Sequence, residues 1–582
     1  MNRSFATARL STAFLVIAAA FPAVFAQTAP KPEPTPNSGT LIDKPRQLPT
    51  LPAPGAPDVR TQEFKRAFVG SNVPLTPAAF SFTGNTVFSN AELQPLVGGF
   101  VGKPTDINGL LDVVATVRNF YRARGHLLTE VYIPEQSFAA SGGTVELAVV
   151  EARIGKVRVE VKPGAGVSQS FAESLLAAHL KPGDPITEYS LDKPILLLRD
   201  TVRVDASASV VPGEKSGLAD IVVEVLPQGR FIDGSVALDN MGAISAGEYR
   251  LTLSGNLNAP LGIGDQLSLR LQPTDNGQTR QYRLAYGAPV GPWGTKAGLS
   301  YSVNDYGLKK QFAALGATGS AKVTSFSLIH PVLRGRKTNL FVQGGFDHKR
   351  LDDNITSTGD KPEKRIQLAR VGVLGNHADE LLFAGGFNSF ALVYASGDLK
   401  LDPFSLTNDS TIGGPQTAGR FNKVNLELQR VQYFGATSSL LLGANLQFAS
   451  KNLTSAEKMS LGGPTGVRGY PIGEANGDEG VLFTAEYRQQ LGFQLLGEPV
   501  SLTAFYDYGT VKVDKVRSAT VNANANLGAS RLTIDSIGIG FYAGSEGKLL
   551  LTGALAVRLG DPPPATDPDR RPRLWFSAQK WF

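Results

Sequence analysis

The sequence predicts a mainly β protein: a 16-stranded antiparallel transmembrane β-barrel preceded by two small α+β modules. Three observations carry that expectation. From Phe231 onward the chain reads as segments of about ten residues with alternating polarity, as expected of strands that face lipid on one side and a lumen on the other. The gaps between those segments are alternately short and long. Upstream lie two consecutive stretches of about 75 residues, each mixing strand-like and helix-like periodicity.

Composition agrees. Of 582 residues, 42% are hydrophobic and 19% charged, the latter below the roughly 25% of an average soluble protein. A mean hydropathy of −0.06 excludes a bundle of spanning helices, and past the N-terminus no apolar run is long enough for one. The absence of cysteine excludes disulfides, thiol nucleophiles and thiolate metal sites. A net charge of +6 is too mild to argue for a nucleic-acid partner.

Residues 1–26 read as an export signal: Arg3 and Arg9, an apolar core from Leu10 to Phe21, and a small-residue cleavage site at Val24-Phe25-Ala26. Residues 27–77 form a proline-rich periplasmic linker. Proline fixes φ and lacks a donor, so the nine prolines between 27 and 60 exclude a regular helix or a central strand. Only 61–69 offers a short helix.

The first module covers 78–152. Phe80-Ser81-Phe82 alternates into a turn, Asp106 caps a helix with Ile107, Leu110, Leu111, Val114, Val117 and Tyr121 at helical spacing, and Val131–Pro134 and Thr144–Glu151 are strands. The second module covers 153–228, with a strand at Val157–Val161, helices over Ser168–Leu180 and Leu191–Asp200, and strands at Val202–Val211 and Asp220–Val225.

The barrel covers 229–582. Segments are expected to start near residues 231, 247, 265, 278, 295, 321, 338, 364, 381, 421, 438, 481, 500, 534, 548 and 573. Counting from the periplasm, the even gaps are short, Gly375–Glu380 and Tyr433–Thr437 among them, and several odd gaps are long, Ser450–Gly480 above all. Short periplasmic turns and long surface loops are a barrel's asymmetry. A soluble sandwich has no reason to sort loops this way. The chain closes on an aromatic strand ending at Phe582.

Function concentrates in two motifs. The longest surface loop carries Gly466-Val467-Arg468-Gly469-Tyr470, and a later strand carries Phe505-Tyr506-Asp507-Tyr508-Gly509. Alternation in that strand puts Leu502, Ala504 and Tyr506 on the lipid face and Phe505 and Asp507 in the lumen. A lumenal carboxylate wants a partner, and a guanidinium can offer it two charge-assisted hydrogen bonds. Arg468, with Gly466 and Gly469 to let the backbone turn tightly, brings the loop inward to Asp507. Glu486, lumenal by the parity of Thr484 and Arg488, is the competing partner.

These motifs resemble the signatures of outer-membrane transport and assembly barrels that carry periplasmic POTRA modules. With two modules and sixteen segments the chain resembles a TpsB-type two-partner secretion transporter, the haemolysin activation/secretion proteins. Leu238–Gly242, His330–Arg334 and Val131–Gln136 agree with it. The resemblance implies a monomer in the Gram-negative outer membrane that takes a TpsA-type exoprotein, a β-helical adhesin or haemolysin, docks it on the POTRA modules by strand addition and passes it through the pore, with activation of the partner as a further role. It also implies the inward loop. Such transporters often begin with a pore-plugging helix, which the proline-rich start here does not favour, so occlusion falls to the Val467–Tyr470 loop.

Other chemistry finds no support. The five histidines are scattered without metal-ligand spacing, and neither a phosphate-cradling loop nor a nucleophile elbow occurs. No cofactor, metal, nucleic acid or enzymatic activity is expected, and transport must run without ATP. The alternative is a barrel-assembly factor of the same superfamily. A receptor or porin would leave the two modules unexplained.

Overall fold

The computed structural model describes residues 36–41, 58–61, 74–126, 128–137, 143–215, 217–411, 414–516, 530–560, 563–564 and 566–582. The export signal and, beyond Thr61, the expected helix at 61–69 lie outside them. Thr61 itself ends a strand, β1 (Asp58–Thr61).

The first module is a three-stranded sheet, β2 (Ala79–Thr83), β3 (Glu130–Tyr132) and β4 (Thr144–Val150), in the order β2-β4-β3. Against it pack α1 (Asn90–Val97) and α2 (Ile107–Ala123). The side chain of Asp106 accepts from the Gly109 amide at 3.0 Å and caps α2. Leu110, Val113, Val117 and Tyr121 then meet Phe80, Val145 and Leu147 in the core. At its base the Tyr121 hydroxyl donates to Glu151 at 2.9 Å. Burial works to raise the Glu151 pKa, but donors from Thr86, Val87 and Tyr121 outweigh it and hold the carboxyl below the usual range.

The second module contains β5 (Arg153–Val161), α3 (Gln169–His179), α4 (Glu188–Arg199), β6 (Val204–Pro212) and β7 (Leu218–Pro227). Its sheet runs β1-β6-β7-β5. The edge place is taken by β1, parallel to β6 from Asp58↔Ser207 to Thr61↔Val210.

The barrel is closed and antiparallel, with sixteen strands in its wall. They are β8 (Ile232–Asp239), β9 (Arg250–Asn258), β10 (Gln266–Pro273), β11 (Arg280–Val290), β12 (Thr295–Gly307), β13 (Ala317–Arg334), β14 (Thr338–Ile355), β15 (Glu363–Asp379), β16 (Gly386–Leu401), β17 (Gly419–Tyr433), β18 (Ser438–Ala449), β21 (Glu479–Leu495), β22 (Glu498–Lys512), β23 (Arg531–Gly544), β24 (Leu549–Arg558) and β25 (Arg573–Trp581). Helix α5 (Pro403–Ser410) lies in the loop between β16 and β17. The short β19 (Met459–Ser460) and β20 (Asn476–Gly477) pair inside the longest loop. Closure comes from β25 on β8, Ser577↔Asp239 to Trp581↔Ser235.

Observed starts agree with expectation to within three residues except at β13 and β16. β12 and β13 stay paired as far as Gly307↔Thr318, because a strand that rises out of lipid needs no apolar alternation to stay in the ladder. β15 runs on to Asp379, and the turn is 380–385, not Gly375–Glu380. Leu381, Leu382 and Phe383 have the hydropathy of a strand start and stand in the turn instead.

The second module is bound to the periplasmic rim. Arg334 donates to both carboxylate oxygens of Asp200, at 2.8 and 2.9 Å. Arg336 reaches Asp192 at 2.5 and 3.0 Å and Glu188 at 2.8 Å. The Lys296 ammonium donates to the Asp200 carbonyl, the Gly264 amide to the Gly166 carbonyl at 2.7 Å, and the His179 and Trp293 rings meet edge to face at 5.3 Å. Three consecutive turns, 259–265, 291–294 and 335–337, thereby carry one module.

Residues 36–41, expected in the periplasmic linker, lie in the lumen near the surface ends of β12 and β14. The Ser38 amide donates to Asp353 at 2.8 Å, Asn304 to the Leu41 carbonyl at 2.5 Å, and Ser455 to Asn37 at 2.9 Å. Proline excluded a helix here, but an irregular peptide can still satisfy its backbone from lumenal side chains.

Candidate functional site

The loop between β18 and β21 turns into the barrel. Its stem is the β19–β20 pair, with Asp478 accepting from the Leu453 amide at 3.0 Å and the Lys515 amide at 2.8 Å. Buried Glu457 receives Lys349 at 2.6 Å and Lys423 at 2.8 Å from the wall. Beyond the stem, Leu461, Val467 and Tyr470 pack with Leu482, Val511 and Ile534 of the wall. Apolar burial and paired charge thus seat the loop together.

At its tip, Arg468 Nε donates to Asp507 Oδ2 at 2.8 Å and Nη2 to Oδ1 at 2.9 Å. Nη1 donates to Glu486 Oε2 at 2.5 Å. The two carboxylates that sequence offered as alternatives are therefore both engaged by one guanidinium. That guanidinium also lies 3.3 Å from the centroid of the Phe505 ring, a cation–π contact. Asp507 has no exposed surface, and its remaining lone pairs accept from Thr484 at 3.1 Å, Ser536 at 3.4 Å and the Arg468 amide at 3.2 Å. Glu486 is further held by Arg488 at 2.8 Å. Such satisfaction is what a buried charge cluster requires.

The glycines act differently from expectation. Neither Gly466 nor Gly469 has a positive φ; in this loop Gly463 and Gly473 do. The two motif glycines are needed for closeness. A Cβ on Gly466 would stand 2.0 Å from the Leu461 carbonyl oxygen, and one on Gly469 would stand 2.7 Å from the Ser536 Cβ and 2.8 Å from the Arg558 amide nitrogen. Gly509 leaves room for Leu461, and Gly538 on the next strand for the Phe505 ring.

Sequence reasoning missed several members: Thr484, Ser536, the Glu457 cluster and Trp575, whose indole donates to the Arg468 carbonyl at 2.8 Å. Parity placed Thr484 in the lumen without giving it a task. For Trp575 nothing local signals that the last strand meets the loop.

The profile of the haemolysin secretion/activation protein family (ShlB/FhaC/HecB) matches residues 217–531, and that of the ShlB-type POTRA domain matches residues 75–152. The chain belongs to the haemolysin secretion/activation family. It is an outer-membrane transporter of two-partner secretion, with its POTRA modules in the periplasm. Among curated relatives it is similar to the haem/hemopexin transporter protein HuxB of Haemophilus influenzae, 26% identical over 90% of this chain and 89% of that one. It is also similar to the outer membrane transporter CdiB of Escherichia coli, 24% identical over 73% and 70%. Among solved structures, CdiB from Escherichia coli aligns with a TM-score of 0.67 at 20% identity over 89% of this chain and 93% of that one. CdiB from Acinetobacter baumannii aligns at 0.60 and 17% identity over 96% and 95%. These structures share its fold.

Within this family member the loop tip, the lumenal wall and the N-terminal segment converge. Pro36 and Leu41 border the same extracellular cavity as Pro471 and Gly473 of the loop, Arg570 of the β24–β25 connection and Trp575 of the wall.

Proposed function

We propose that this transporter secretes one large β-rich exoprotein of the TpsA type, acting as a monomer, with the Arg468–Asp507–Glu486 cluster latching its loop in the resting pore. The observation that carries this reading is a closed barrel whose lumen is filled by that loop while two sheet-bearing modules stand at its periplasmic entrance. A sheet edge takes an extended client through main-chain hydrogen bonds that tolerate varied side chains. The outer edge of β6 is already occupied by β1, so a client that adds there has to displace it. No phosphate-cradling loop is present in the sequence, and folding of the client outside the cell supplies the direction of transport. Activation of a haemolysin-like partner, or transport linked to haem or hemopexin as in HuxB, which is named a haem/hemopexin transporter protein, are roles the same geometry serves.

Extracellular proteins compared with and without this chain test the reading. Loss of a single secreted protein at unchanged levels of other outer-membrane barrels is expected. Broad loss of barrels would make it an assembly factor instead.

A further inference from the structure

Three further periplasmic turns follow the POTRA-bearing ones, which themselves expose Leu261 and Trp293. Turns 380–385, 434–437 and 496–497 present large apolar side chains to the outside: Leu381, Leu382 and Phe383 are 67%, 70% and 77% exposed, Leu496 is 74% exposed, and Phe434 stands between them.

This display is built, not left over. Leu382 and Phe383 have φ of 57° and 52°, a left-handed backbone that residues with side chains rarely adopt. The Gln432 side-chain amide holds it by donating to the carbonyls of Leu382 and Gly385, both at 2.7 Å. Arg430 grips Asp379 at 2.7 and 3.2 Å, and Asn388 donates to the same carboxylate at 2.5 Å. Register places these groups on the outer face of the wall: Arg430 pairs with Asn388, on the same side as the exposed Leu392 and Leu428. The turn therefore folds outward over the wall, with its polar frame satisfied within itself beneath an apolar surface.

That surface is continuous with the lipid-facing band. The Phe383 and Phe434 rings meet at 4.9 Å and Phe434 and Tyr487 at 6.5 Å. Tyr487 pairs with Ala504, on the same face as exposed Leu502.

We infer that the 380–385 turn, with Phe434 and Leu496, is a foot inserted in the periplasmic leaflet of the outer membrane, with phospholipid acyl chains as its partner. Aromatic and aliphatic side chains at that depth gain from burial, and pairing within the polar frame offsets much of the cost of taking Arg430 and Asp379 away from water. The periplasmic rim is then held on one side by the second POTRA module and on the next by lipid, which fixes the tilt of the pore relative to the module.

The chain has no cysteine, so Phe383→Cys in the full-length protein takes a single NBD label. In vesicles of phosphatidylethanolamine and phosphatidylglycerol, doxyl-labelled lipid should quench that label several-fold more than aqueous iodide does. A label at Glu214→Cys, on the exposed β6–β7 hairpin, should show the reverse. Leu496→Cys is read in parallel, so that a folding failure at Phe383 does not end the test. Iodide quenching like that at Glu214 would overturn the inference. So would shielding from both quenchers, which would mean that protein covers the foot.

Discussion

Arg468 and Asp507, 39 residues apart, meet through two parallel hydrogen bonds of 2.8 and 2.9 Å, one partner on a loop and the other on a strand of the wall. The pair belongs to the docked position of the loop. The strand ladder does not depend on it, so its loss should leave the barrel intact and the gate loose.

Arg468→Ala strands Asp507 as a buried carboxylate without a counter-charge and leaves Glu486 to Arg488 alone, at a cost of about 3–5 kcal/mol. Secretion should fall to near background, with raised conductance in planar bilayers and an unchanged, heat-resistant barrel. Asp507→Asn should be milder, because Glu486 still receives Nη1. Arg468→Lys should be clearly impaired, since an ammonium cannot serve both carboxylates through a planar fork. Strictly additive losses for Arg468→Ala and Asp507→Asn would sink the coupling.

Gly469→Ala should reproduce the loose gate without touching a charge. Its Cβ would meet backbone of β24 at 2.8 Å. Gly473→Ala, with open space around it but a φ of 82°, should cost only about 1–2 kcal/mol and leave conductance near normal. Equal conductance for the two variants would remove the close-approach argument.

Asp353 anchors the N-terminal segment by accepting from the Ser38 amide at 2.8 Å and the Tyr306 hydroxyl at 2.7 Å. Asp353→Ala leaves a buried amide unsatisfied, about 1–3 kcal/mol. Brief openings should become more frequent in bilayer recordings at unchanged barrel stability. An unaltered open probability would show that the segment does not obstruct ions.

The POTRA-to-rim contact should depend unequally on its two arginines. Asp200→Ala abandons Arg334, whose side chain is only 4% exposed, and should free the second module, seen as faster proteolysis at the junction. Arg336→Ala should be milder, because the buried Asp192 it leaves behind has its pKa raised by burial and can take up a proton, whereas Arg334 cannot lose its charge. The reverse ranking would contradict this account.

Acid should loosen the same contact through His179. Burial lowers its pKa to about 4, with Lys193 adding to the shift and the Pro292 backbone opposing it. The value freed from the contact is near 6.5, so the neutral ring is the docked form. Its contribution is whole above that value and is lost as pH falls from 6.5 toward 4. The Trp293 fluorescence, isolated by subtracting Trp293→Phe, should change across that window and lose the change in His179→Gln.

Much of this was legible because lipid imposes period 2 on every spanning segment, so the strand starts and the Asp507 face followed from alternation alone. Leu381–Phe383 misled for the same reason: hydropathy marks contact with lipid, and a turn folded over the wall makes that contact without being a strand. Gly466 suggests a tight turn because sequence cannot distinguish a glycine needed for φ from one needed for closeness. Residues 36–41 and β1 were missed since their partners, Asp353 and β6, come from distant parts of the chain.

The Trp575 indole reaches the Arg468 carbonyl from β25, the strand whose five pairs with β8 complete the wall. The strand that closes the wall thus contributes a support for the gate. A molecule whose seam has not yet joined lacks that support, so the latch also serves as a record of construction: it engages fully only in a finished cylinder.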